Sequence, residues 1–105
     1  MARHKHKPKS PVTGQFSEKE LQELGEKRDW RTLGQIASHS MSKDTRKSAI
    51  AQFQKADSTD LMRLSEAGDS EAIGFLAQFA PEWIARMANE WRFSRGLSTF
   101  GRVSE

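Results

Sequence analysis

The sequence predicts an all-α fold, a compact bundle of about six short helices, and three observations carry that prediction. No stretch alternates apolar and polar residues with period two over a useful length, and β-branched residues are sparse. Apolar residues recur instead at three- and four-residue spacing, in segments that a Ser, an Asp or a Pro can open. The pattern also returns after forty residues: "LQELGEKRDWRTLGQIA" aligns with "LMRLSEAGDSEAIGFLA".

The first helix has the strongest local signal. In "FSEKEL", Ser17 stands three residues before Glu20, with Phe16 and Leu21 flanking the pair, so a capping box and a hydrophobic staple fix its entry. It runs to about Lys27. Asp29 caps a second helix with Leu33, Ile36 and Ala37 inward, and Ser42 caps a third with Ala49, Ile50, Phe53 and Ala56. Asp57 or Ser58 opens a fourth with Leu61, Leu64 and Met62, which ends at Gly68. Asp69 caps a fifth, "SEAIGFLAQFA", apolar enough to be central. Pro81 fits the first turn of a sixth, where Trp83, Ile84, Met87, Ala88 and Trp91 form a bulky stripe expected to face the core.

The forty-residue offset matches Leu21 with Leu61, Leu24 with Leu64, Asp29 with Asp69, Gly34 with Gly74, Ala37 with Ala77, Arg46 with Arg86 and Phe53 with Phe93. Period and content resemble HEAT or armadillo units, which implies two related three-helix units. Residues 16–95 are thus expected to form the helical domain, between an arm at 1–15 and a flexible tail at 96–105.

Charge is uneven. The net formal charge is +3, and Arg3, Lys5, Lys7 and Lys9 all precede the first acidic residue, Glu18. The arm has almost nothing apolar to bury against its ordering entropy and is expected to be disordered when free. Such a strand neutralises phosphates without reading sequence. In the body, Lys43, Arg46 and Lys47 cluster near the start of the third helix, where a recognition helix would meet a major groove. A standard helix-turn-helix is not expected, because Arg46 stands where that motif places a buried aliphatic residue. The phrase "PVTGQF" behind the basic arm resembles the openings of phage and mobile-element proteins, small terminase subunits among them. That resemblance implies a DNA-associated accessory protein.

The expected function is a non-enzymatic, nucleic-acid-associated accessory protein contacting phosphates through Arg3, Lys5, Lys7, Lys9, Lys43, Arg46 and Lys47. An acidic protein surface is the other polyanion that these cations fit. The alternative is a helical-repeat-like interaction module or an inhibitor of a partner protein, using Arg86, Arg92, Phe93 and Arg95 of the sixth helix, with a homo-oligomer among the arrangements Phe93 allows. No cysteine is present, which removes disulfides, thiolate metal sites and a cysteine nucleophile. No catalytic grouping or phosphate loop is legible, so neither an enzyme, a cofactor nor a metal is expected. With no long apolar run and no signal-peptide core, a cytoplasmic location without membrane contact is expected.

Overall fold

The computed structural model describes residues 9–103, so Arg3, Lys5 and Lys7 lie outside the described residues. Six helices follow one another: α1 (Glu18–Glu26), α2 (Trp30–His39), α3 (Lys43–Gln52), α4 (Ser58–Ala67), α5 (Ser70–Phe79) and α6 (Glu82–Ser94), with a short 3₁₀ turn at Phe53–Lys55. The all-α bundle is as predicted. No helix of the described residues is long and apolar enough to cross a membrane.

The expected caps form. Ser17 and Glu20 exchange hydrogen bonds with each other's backbone as a capping box, and Asp57 and Asp60 do the same forty residues later. Asp29 and Asp69 accept from the N–H three residues on with nearly the same backbone angles. The turns before them match as well. Arg28 N–H donates to the Gly25 carbonyl and Asp29 N–H to that of Leu24; Gly68 and Asp69 repeat both bonds to Ser65 and Leu64. Arg28 and Gly68 both sit in the left-handed region, at φ 61 and 70. Glycine adopts this conformation freely, whereas a side chain there costs about 1–2 kcal/mol.

Helices α2 and α5 form the centre. Leu33 and Ile36 of α2, and Ile73, Leu76 and Ala77 of α5, are completely enclosed. Helices α1 and α3 pack on α2, and α4 and α6 pack on α5, so each unit contributes one central helix and two outer ones. Gly34 lets the Phe75 ring lie directly against the α2 backbone, where any Cβ would overlap it. A run of aromatic rings joins the units: Trp30 to Phe53 at 5.1 Å, Phe53 to Phe79 at 5.3 Å and Phe79 to Phe75 at 6.4 Å between centroids. Phe53 is fully buried in this run and contributes about 2–3 kcal/mol by burial alone.

Residues 9–15 of the expected arm and 97–103 of the expected tail pack against the helices. Residues 9–16 fold back over the first unit: Gly14 N–H donates to Ser10 O at 2.8 Å, and Met41 N–H to Val12 O at 2.9 Å. Residues 97–103 lie along the second, where Val103 N–H reaches Gln78 O at 2.8 Å and Arg102 Nε reaches Ala80 O at 2.9 Å. Backbone amides and helix-end carbonyls hold both, which is why their polar composition did not announce the docking.

Candidate functional site

The cations singled out in the sequence divide into engaged and free. Lys9 Nζ lies 2.8 and 2.9 Å from the two carboxylate oxygens of Glu20 and 5.2 Å from the Phe16 ring centroid. Its hydrogen bond, followed by that from the Ser17 N–H, holds the Glu20 carboxyl below its ordinary value. Lys9 therefore fastens the incoming segment to α1. Arg46, whose position argued against a helix-turn-helix, donates from Nη1 to the Ser40 carbonyl at 2.6 Å and so satisfies the end of α2. Lys43 and Lys47 remain exposed, one turn apart on α3. Both stand at the end of the bundle against which residues 10–16 pack, where Val12, Phe16, Ser40, Met41 and Thr45 line a cleft of about 430 Å³.

On α6 the expected stripe splits: Ile84 and Ala88 are buried, Trp91 packs in part against the core, and Trp83 and Met87 do not. Its inward face is small and mixed, made of Ile84, Ala85, Ala88 and Arg92. The bulky residues turn outward instead, Trp83 being 54% and Met87 41% exposed. Met87 and Trp91 face Leu61 and Met62 across a groove of about 400 Å³ between α6 and α4, closed along its sides by Ser58, Ser65 and Glu90. Met62 is itself 59% exposed, and the Arg95 guanidinium lies 4.0 Å from the Trp91 ring centroid at one margin. Trp83 stands one turn earlier on the Met87 stripe.

The four proposed contact residues of α6 consequently separate. Arg95 joins the groove through Trp91. Phe93, 76% exposed, and Arg86, which reaches Glu82 at 3.5 Å, project from a different side of the helix. Arg92 is not a surface residue at all: it is 8% exposed, with Nε on Ser98 O at 2.7 Å and Nη1 on Ser70 O at 2.6 Å. An arginine between two apolar turns reads as surface in a sequence, since the carbonyls that satisfy it lie in distant segments.

The forty-residue offset relates the two outer faces. Lys43 and Lys47 of α3 occupy the positions of Trp83 and Met87 in α6, and Gln22 of α1 that of Met62 in α4. One repeat unit thus carries a polar, cationic version of a surface that is apolar in the other. No family model, curated protein or solved structure matches the chain.

Proposed function

We propose that this chain is a non-catalytic interaction module whose second unit receives an apolar segment of a partner protein in the α4–α6 groove. The observation that carries the reading is the open groove between two parallel ridges of side chains, with Met62, Met87 and Trp91 along it and Trp83 beside it. Met62, Trp83 and Met87, three large apolar residues left facing solvent beside the half-buried Trp91, are a docking surface in physical terms. Methionine adapts to irregular partners, and tryptophan supplies much area for little entropy. A groove between helices suits an amphipathic helix with residues at i, i+3 and i+4. Met87→Glu places a charge in that groove without touching the core. It should reduce partner capture at least tenfold while leaving the helical content intact, whereas unchanged capture refutes the reading.

A second reading, contact with nucleic acid by an accessory protein of phage or mobile-element type in the cytoplasm, has its own support. Residues 9–13, bonded to Met41 through Val12, lie at the same end of the bundle as Lys43 and Lys47. With Arg3, Lys5 and Lys7 of the sequence these make five cations, which correspond to a log–log salt slope of about −4.5 if all engage B-DNA. Lys9 and Arg46 drop out of this footprint because each already has a partner. Duplex binding measured across a salt series, with and without Lys43→Ala and Lys47→Ala, tests it. A slope unchanged by the substitutions removes the folded part of the footprint.

A further inference from the structure

The segment after α6 meets the body as a bound peptide meets its site. Asn89 holds Phe100 by both backbone groups, donating from Nδ2 to its carbonyl at 2.7 Å and accepting its N–H on Oδ1 at 3.0 Å. A side-chain amide clamping one residue in this way reads extended backbone rather than side-chain identity. Selectivity comes from the ring. Phe100 lies over Gly74, where an added Cβ would be 3.1 Å from it, and 4.8 Å from the Arg92 guanidinium. Arg92 fixes the preceding turn through Ser98 O, and Arg102 donates to the open carbonyl of Ala80 at the end of α5.

The site is also larger than its occupant. Beside Phe100 a cleft of about 450 Å³ continues along α6, lined by Glu82, Ala85, Arg86 and Asn89. The first unit has no counterpart, since Ala49 and Gln52 stand where Asn89 and Arg92 do. Gly96, in the left-handed region at φ 73, makes the turn from which the segment departs. Ser98, Thr99, Gly101 and Arg102 stay exposed along it.

We propose that the α5–α6 surface is a peptide-binding site for an extended segment of aromatic–Gly–Arg character, held closed in this structure by residues 97–103 of the same chain. The same segment of a second copy of this chain displaces the resident one, so that two copies exchange residues 97–103. Attachment through Gly96 gives the resident segment an effective concentration in the millimolar range, which a free peptide must overcome.

The test uses the full chain carrying Phe100→Ala and a fluorescent peptide of residues 97–105. The peptide should bind this variant at least tenfold more tightly than it binds the unaltered chain, and adding Asn89→Ala should abolish binding. Equal affinity for both chains, or no binding to a folded Phe100→Ala chain, overturns the proposal. Hydrogen exchange on the unaltered chain reads the same question without a variant. The Phe100 and Val103 amides should exchange at least tenfold faster than those of Ile73 and Leu76, because the segment leaves while the helices stay folded. Exchange of both sets at one rate makes the segment part of the core and overturns the proposal equally.

Discussion

Arg28 Nη1 lies 2.8 Å from Asp60 Oδ2, and this ion pair ties the α1–α2 turn of one unit to the first turn of α4 in the other. Asp60 is 1% exposed and closes its own capping box with the same oxygen, which also accepts the Asp57 N–H at 2.9 Å. Arg28 adds a bond to the Lys55 carbonyl. The left-handed backbone that Gly68 adopts freely is thus retained by an arginine in the first unit, and these bonds offset its strain.

Removing the carboxylate should therefore cost more than removing the strained residue. Asp60→Ala leaves Arg28 without its acid partner and the Asp57 N–H without its acceptor, a loss of about 2–3 kcal/mol, toward the low end for buried pairs because Arg28 is partly solvated. Arg28→Gly loses the pair but releases the backbone, and should cost about 1 kcal/mol less. Urea titration of both variants checks the order, and a greater loss in Arg28→Gly contradicts it.

Two carboxylates predict the acid side of the stability curve. Glu20 is held below the ordinary range chiefly by Lys9, and Asp57 chiefly by its hydrogen bond with the Asp60 N–H. A pKa lowered on folding stabilises the native state above the unfolded value, about 4, and that contribution disappears as pH falls through the folded value. Stability should accordingly be level above about pH 5 and decline below about pH 4. Glu20→Gln keeps a capping acceptor but no longer titrates, so thermal melts from pH 5 to pH 2 should show a shallower decline. An unchanged slope contradicts the assignment.

Equivalent glycines should respond differently. At Gly34 a methyl group overlaps the Phe75 ring and its Cβ, so the strain of moving a central aromatic outweighs the better helix propensity of alanine. Gly34→Ala should lose about 1–3 kcal/mol. At Gly74 the nearest atom is the edge of Phe100, on a segment able to shift, and Gly74→Ala should change stability by less than about 1 kcal/mol in either direction. Comparison of the two melting temperatures decides this, and equal losses refute it.

The paired phenylalanines give the sharpest contrast. Phe53 is completely buried and Phe93 is 76% exposed at the position forty residues on. Phe53→Ala should lose about 3–5 kcal/mol, and Phe93→Ala about 0.5 kcal/mol or less. Chemical denaturation of both separates a shared sequence pattern from a shared structural role. Similar losses contradict the packing described.

These contrasts show where the sequence was legible. Caps at Ser17, Asp29, Ser42, Asp57 and Asp69 are local chemistry and fall where residue type places them. So do the inward stripe of α2 and the central place of α5, which is apolar nearly all round. The forty-residue pattern was visible because the turns at Arg28 and Gly68 make the same hydrogen bonds. What local spacing hid is everything decided by a distant partner: the carbonyls that hold Arg46 and Arg92, the acid that holds Lys9, and the amide that holds Phe100. On α6 a bulky apolar stripe was read as core. Of that stripe Ile84 and Ala88 are core and Trp91 packs in part against it, while Trp83 and Met87 turn out.

In the proposed reading the apolar outer face of the second unit, and not its cationic counterpart in the first, engages a partner protein. A photo-crosslinking residue placed at Met87, and separately at the equivalent position Lys47, tests it in living cells. A discrete protein adduct at position 87 and none at position 47 is the predicted result. No adduct at 87, or adducts of equal yield and identity at both positions, would contradict it.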